Sequence, residues 1–456
     1  MRLLKTLEKM NQDNLISFHM PGHKGGRLIS NLLEDFLKKD ITEIPGADNL
    51  HNASGCILET EASISSLYES RRSRLLVGGS TSGVLASILG IVPQNGRIAM
   101  NRNAHQSVYN AVEIGGLEPV YIAPTFDNER GIVTGISQYI LEPLLENVSA
   151  LMLTYPTYEG ICYPIKPLIE CAHKAGIPVI VDEAHGAHLK FFDTSHVSAL
   201  DLGADLVIQS FHKTLPAMTQ TACLHVGKDA LLTDHQLENV MWYLASLQTS
   251  SPSYVLMASV DAMLSVMETK GASLVQDLIN RLSSFYEKMS RLKALEIKRL
   301  PNQEITKIII FSKWLSGKAI DSKLRVEFGI QSEYASDQIC LLMTSVATTS
   351  EDLDFLESAL LEIDASISKE KPQDTGLNFD EIYTFISKKE HRVYSASEVR
   401  MMAWETVSSE TALGRISKDY IIPYPPGIPI VVPGEKITDV VMPLIQKETQ
   451  TIRILR

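Results

Sequence analysis

At 456 residues and 50.5 kDa the chain is longer than one compact core usually holds, so two or three domains are expected. With 45% hydrophobic and 21% charged residues it has an ordinary globular composition, which excludes a disordered chain. The net charge of −12 argues against nucleic acid as a partner, because backbone contact needs clustered Lys and Arg; it is compatible with a cationic substrate.

Cys56, Cys162, Cys171, Cys223 and Cys340 are scattered, odd in number and without a Cys-x-x-Cys pair. That pattern fits free thiols in a reducing cytosol rather than a disulfide frame or a zinc site. Residues 1–10 alternate charged and apolar side chains, which predicts a short amphipathic helix or arm over 1–17 and no signal-peptide core. Leu75 to Gly96 is uncharged and long enough for a membrane span, but Gly78-Gly-Ser-Thr-Ser-Gly83 interrupts it. A strand, loop and helix are expected there instead, in a cytoplasmic protein with no membrane partner.

In chain order, Phe18-His-Met-Pro-Gly-His-Lys-Gly-Gly26 is a turn-rich loop with polar reach. Glu61 to Arg74 has helical spacing. Leu75-Leu-Val-Gly-Gly-Ser-Thr-Ser-Gly83 then opens a helix over Val84–Ile91, whose N-terminal N–H groups and dipole favour an anion. With the hydroxyls of Ser80, Thr81 and Ser82 this forms a phosphate cradle, though not a P-loop, since no Gly-Lys-Ser/Thr follows. Arg97 to Ser107 and Ala150 to Gly160 each run from an apolar strand into a polar loop.

Pro178-Val-Ile-Val-Asp182 and Asp205-Leu-Val-Ile-Gln-Ser-Phe-His-Lys-Thr214 are β-branched runs that end in chemically capable side chains. Such runs read as strands of a parallel sheet buried on both faces, and open α/β sheets bind ligands at the C-terminal edge of these strands. Asp182 and Lys213 lie about one βαβ unit apart and would project into one crevice. A lysine for a Schiff base, with a carboxylate to keep a pyridine nitrogen protonated, predicts pyridoxal 5'-phosphate. His185 and His188, beside Asp182 and Glu183, invite a metal reading, but there is no His-Glu-x-x-His and no metal is expected.

Leu224 to Gly227 reads as a short strand, Asp234 to Leu247 as a helix, and Val255 to Leu292 as a long helical region leading into a second domain. Strands are expected at Ile305–Phe311 and Ile339–Thr344, with a helix over Glu351–Ile363. A polar linker is expected over Ser368–Gly376. Ser395-Ala-Ser-Glu398 predicts a capping box on a helix running through Val407. Ile421 to Glu435, rich in proline, predicts a rigid extended wall ending in a carboxylate. The expected divisions are an arm over 1–17, a large α/β domain over 18–265, a small α+β domain over 266–370 and a C-terminal subdomain over 371–456.

Ser210-Phe-His-Lys-Thr-Leu-Pro-Ala-Met-Thr-Gln-Thr-Ala222 resembles the lysine-site signature of the Orn/Lys/Arg decarboxylases, with departures at Ile208 and Pro216, where small residues are usual. Phe18–Gly26, Asp40–Leu50, Arg102-Asn-Ala-His-Gln-Ser107, Pro156-Thr-Tyr-Glu-Gly160 and the Tyr-Pro-Pro-Gly…Pro-Gly-Glu435 segment resemble that family in the same order, with Gln106 where a lysine is usual.

The resemblance implies an α/β protein of the type I pyridoxal-phosphate fold, aspartate-aminotransferase-like, with a mostly parallel large-domain sheet and smaller C-terminal α+β domains. It looks like a short, Gram-positive-type member, without the regulatory N-terminal domain of longer relatives or assemblies built through it. By resemblance, Lys213 carries the cofactor, Asp182 meets the ring nitrogen, and His105 and Ala184 stack on its two faces. Ser210 and His212 contact the phosphate, and His185 belongs to the same pocket. Ser250, with Thr249 beside it, lends a hydroxyl to a neighbouring subunit's phosphate, which implies a homodimer.

Glu435 would receive a substrate's distal cation. The function implied is decarboxylation of lysine, arginine or ornithine in polyamine metabolism, with lysine or arginine favoured. His212 or Lys213 would return the proton. The competing readings are transamination or elimination on the same scaffold, a catalytically silent cofactor-binding protein, and a metallohydrolase.

Overall fold

The computed structural model describes residues 16–18, 48–192, 196–369, 376–423 and 427–456. The expected N-terminal helix, the Gly/Pro loop from His19, the segment from Asp40 to Ala47 and Tyr424–Pro426 lie outside the described residues.

A seven-stranded sheet forms the centre. Its strands are β1 (Arg72–Leu76), β2 (Arg97–Asn101), β3 (Glu118–Ile122), β4 (Ala150–Thr154), β5 (Val179–Asp182), β6 (Leu206–Ser210) and β7 (Ala222–Val226). They lie in the order β1-β7-β6-β5-β4-β2-β3, and β7 alone runs antiparallel to both its neighbours. Every residue of β5 and β6 is buried, because helices cover both faces and leave no strand position for a solvent-facing polar residue. Ile180 packs into one face with Val84, Ile88, Val108 and Val240, while Val179 and Val181 pack into the other with Leu151, Leu153 and Ile169. The side-chain period of two therefore fixes which way each strand end points. In register, Thr154 pairs with Asp182 and Asp182 with Ile208, so the polar ends of β4, β5 and β6 emerge on one edge.

Helix α1 (Cys56–Tyr68) precedes β1 and ends at Glu69, in the left-handed region at φ 55°, so Arg72–Arg74, expected in a helix, begin the first strand. Helix α2 (Gly79–Ile91) starts on the glycine pair of the cradle, and Gly79 has φ +70°, a conformation favouring glycine. A Cβ on Gly83 would meet Ile208 Cγ2 at 3.0 Å. The branched Ile208 is thus accommodated by a glycine opposite it on α2, which resolves its departure from the small residue expected there.

Helix α3 (Gln106–Ile114) follows β2, α4 (Lys166–Lys174) follows β4, and α5 (Asp234–Leu247) packs on α2. The 36-residue α6 (Tyr254–Met289) leads to a three-stranded antiparallel sheet of β8 (Lys307–Phe311), β9 (Tyr334–Ala335) and β10 (Ile339–Met343). Helices α7 (Gly317–Phe328) and α8 (Ser350–Ser366) pack with it.

Residues 370–375 of the expected linker lie outside the described residues; after them come α9 (Phe379–Ile386) and the short α10 (Ala396–Val399), whose Ser395–Glu398 capping box is present. The helix expected to run through Val407 stops at Val399. Trp404–Ser408 forms strand β11 instead, antiparallel to β12 (Thr451–Leu455). Tertiary pairing recruits a Trp-Glu-Thr-Val-Ser run of β-branched and aromatic residues that local spacing had joined to the helix.

Candidate active site

The C-terminal edge of the sheet encloses a cavity of about 500 Å³. The helical turn after β6 brings Lys213 to it, and β5 brings Asp182, followed by Ala184 and His185. His105 comes from the β2–α3 loop, Ser80 and Thr81 from the start of α2, and Ser210 and His212 flank the lysine. The end of β4 adds Thr154, and the loop after it adds Pro156, Thr157, Tyr158 and Glu159. Of the residues singled out from the sequence, Ser80, Thr81, His105, Asp182, Ala184, His185, Ser210, His212 and Lys213 thus converge on one space.

Three lie elsewhere. Ser82 is buried, and its hydroxyl donates to Gly79 O at 2.9 Å, closing the first turn of α2. Ser250 is exposed in the α5–α6 connection. Glu435 points away from the cavity: its carboxylate accepts from Arg102 Nη2 at 3.1 Å and from Val432 N at 2.8 Å. The cavity wall that this C-terminal segment supplies is Ile428. Arg102 is fully buried and also donates to Pro429 O, Ile430 O and the Tyr109 hydroxyl, so it clamps the segment to the loop that carries His105. Gln106 N donates to Gly427 O in the same seam.

Each side chain is oriented by a neighbour. His105 caps α3: its Nδ1 accepts from Ser107 N at 3.1 Å, which leaves Nε2 to carry the ring proton. Burial, only partly offset by Asp182 and reinforced by Lys213, pushes His105 below the usual histidine range, so the ring is neutral and offers a flat face. His212 Nδ1 lies 2.9 Å from Thr221 O; a carbonyl only accepts, so Nδ1 carries the proton there. Asp182 Oδ1 accepts from Ala184 N at 3.1 Å. Burial pushes the Lys213 ammonium down, against the attraction of Asp182 and Glu333, and so favours the free amine.

Glu183 turns to the opposite side, where Ser198, Ala199 and Gln209 hold it, and burial pushes its carboxyl up to about 8. His188 pairs with Glu304 at 3.3 Å. The four adjacent residues that invited a metal reading therefore face separate partners.

Residues missed in the sequence come from the three-stranded sheet beyond α6 and its connections. Glu333 lines the cavity and accepts from the Tyr158 hydroxyl at 2.6 Å. Lys307, at the start of β8, is fully buried with its Nζ 3.1 Å from His185 Nδ1. The available signal was a lysine inside Ile-Thr-Lys-Ile-Ile-Ile, since a charge in an apolar run that packs on both faces needs a partner.

The arrangement fits pyridoxal 5'-phosphate. Ser210 Oγ is buried on the cavity with no hydrogen-bond partner, and the first turn of α2 beside it has no side-chain cap. An unsatisfied hydroxyl and a helix N-terminus together await an anionic group.

This sheet order, with a lysine and a carboxylate on one edge, defines the class as type I pyridoxal-phosphate folds. The lysine decarboxylase structure of Francisella novicida superposes with TM-score 0.80 at 18% identity, covering 93% of this chain and 75% of that one. A sequence profile of the Orn/Lys/Arg decarboxylase major domain matches residues 2–323, and that of the C-terminal domain matches residues 383–448. The chain is 36% identical to the uncharacterized protein YaaO of Bacillus subtilis, over 96% of this chain and 92% of that one. It is 29% identical to a Bacillus subtilis arginine decarboxylase, over 95% and 90% respectively. The chain belongs to the Orn/Lys/Arg decarboxylase family.

Proposed function

We propose that this enzyme is a pyridoxal-phosphate-dependent decarboxylase that converts a basic L-amino acid, with arginine the first to test, into its amine and carbon dioxide, feeding polyamine metabolism. The observation that carries the reading is the half-buried Lys213 amine facing Asp182 in a cavity whose Ser210 hydroxyl has no protein partner. When bound, the cofactor supplies an electron sink for the bond that breaks between Cα and the carboxylate.

The chain's residues do the rest. Ser210, Ser80, Thr81 and the α2 N-terminus hold the phosphate, Asp182 keeps a proton on the ring nitrogen, and His105 and Ala184 confine the ring. Lys213, displaced by the substrate amine, stays in the cavity and with His212 is placed to return a proton to Cα. Glu159 and Glu333, which also line the cavity, suit a distal ammonium or guanidinium, the role sequence had suggested for Glu435. Ser250 and Thr249, outside the cavity of their own chain, suit a homodimer in which this loop completes the partner's phosphate site.

The test is amine production by mass spectrometry after the cofactor-loaded protein meets arginine, lysine and ornithine separately. Agmatine, cadaverine or putrescine identifies reaction and substrate together. A borohydride-reducible, lysine-bound cofactor with none of these amines would overturn the decarboxylase reading and leave the site standing.

A further inference from the structure

His185 is bracketed by two lysines. Lys213 Nζ lies 3.0 Å from its Nε2 and Lys307 Nζ lies 3.1 Å from its Nδ1. An ammonium only donates, and a neutral imidazole has one N–H and one bare nitrogen. With both contacts as hydrogen bonds, at most one lysine is charged: the lysine beside the ring N–H is a free amine accepting from it, and the other donates to the bare ring nitrogen. Protonating the ring does not remove the conflict, because two ring N–H groups would then require two free amines. Burial and both lysines also push His185 well below the usual histidine range.

Burial pushes the Lys307 ammonium down as well, to about 8, against the attraction of Glu304 and Glu333, so the charges packed around each lysine bear on which amine is neutral. Lys307 shares its buried corner with Glu304: a Cβ on Gly160 would meet Lys307 Cγ at 2.6 Å and Glu304 Oε1 at 3.0 Å. Thr306 N and Oγ1 donate to that carboxylate, and His188 pairs with it, which keeps Glu304 an anion. Lys213 faces Asp182, Glu333, His105 and His212. Under the proposed function Asp182 would hold the ring nitrogen of the bound cofactor, which would then share its charge.

We infer that Lys307 is a positioning residue: as the charged partner it donates to His185 Nδ1, fixes the proton on Nε2, and so presents Lys213 as a free amine. This rests on the cofactor role of Lys213. In that role the amine lone pair forms the bond to the aldehyde carbon, and both amine hydrogens leave with the aldehyde oxygen as water. Only the unprotonated lysine can begin that step when cofactor is taken up; after a turnover the same lone pair would displace the product amine instead. Glu159 and Glu333 complete the charged groups facing the pair of lysines.

The experiment strips cofactor from the full-length protein and follows its re-uptake by visible absorbance across about pH 6–10. In Lys307→Met the ring is free to accept from a protonated Lys213. The uptake midpoint should rise by about one pH unit, roughly tenfold slower uptake near neutrality, with recovery in alkali. Lys307→Arg, which keeps the charge and the donor, should stay close to the native profile. An unshifted midpoint in Lys307→Met, or uptake slowed equally at every pH, overturns the relay.

His185→Phe should raise the midpoint as well, and adding Lys307→Met to it should add little. Full additivity would show direct repulsion between the lysines and overturn the relay through the ring. Should Lys307→Met not fold, ¹⁵N NMR of native His185 decides: a proton on Nε2 supports the assignment and one on Nδ1 overturns it. If the native protein takes up no cofactor, the proposed function falls first.

Discussion

The loop that carries His105 separates two buried polar regions that obey different rules. On one side Arg102 makes bonds to the backbone carbonyls of Ile386, Pro429 and Ile430, the Tyr109 hydroxyl and the Glu435 carboxylate. On the other, Ser210 Oγ and Thr154 Oγ1 have no partner, Lys213 is pushed towards neutrality, and Asp182 waits beside it. A buried group whose bonds are complete holds structure; one left incomplete is built for something that arrives later. Burial alone does not distinguish them, since Glu435 and Asp182 are both 5% exposed.

Substitutions on the two sides should separate activity from stability. The largest effect belongs to Lys213→Ala, which should abolish turnover and the visible band of lysine-bound cofactor while the protein stays folded; full turnover would sink the assignment. Asp182→Ala should lower kcat by about three powers of ten with weak cofactor binding retained, on the scale of losing an electrostatic partner. Unchanged turnover there would mean another group serves the ring nitrogen.

On the structural side, Glu435→Gln leaves the Arg102 charge buried without its counter-charge and should cost about 3–5 kcal/mol in denaturant unfolding. Its kcat per folded molecule should fall far less than that of Asp182→Ala; a loss confined to KM for the substrate would instead restore Glu435 to the binding site. Ser210→Ala should be the mildest: cofactor affinity down about tenfold, the scale of one charge-assisted hydrogen bond, with stability unchanged because no protein bond is lost.

Acid offers a further probe of the region between α6 and β8. Burial opposes the Glu304 charge, but His188, Lys307 and Thr306 outweigh it and hold the carboxyl at about 2, below its ordinary 4.5. A depressed carboxyl contributes stability above its unfolded value and loses it as pH falls. The contribution, on the order of 3 kcal/mol, should therefore fade between about pH 4.5 and 2. Glu304→Gln should flatten that limb of the stability profile, and an unchanged limb would assign it to other carboxylates.

How much of this could be read in the residues depended on whether the signal was local. Strands β5 and β6 announce themselves as β-branched runs, and their last residues, Asp182 and Ser210, mark the edge where ligands sit. Lys213 and the glycine cradle follow at short, regular distances. Lys307, Glu333 and the Arg102–Glu435 pair depend on contacts between residues far apart in the chain, which no local period encodes. The carboxylate ending the proline-rich wall was visible, but the arginine that claims it was not, so Glu435 was read as a ligand for substrate. Trp404–Ser408 likewise gave no local sign of β12, its partner near the chain's end.

The Arg102–Glu435 clamp joins residues 333 positions apart. At ordinary translation speeds the His105 loop leaves the ribosome on the order of tens of seconds before Glu435 is made. During that interval the nascent sheet has its lysine and acid but lacks Ile428 and the rest of the segment that Arg102 clamps to the rim of the site. A chain ended before Ile428 would lack that wall of the cavity and leave the Lys213 side of it open to water.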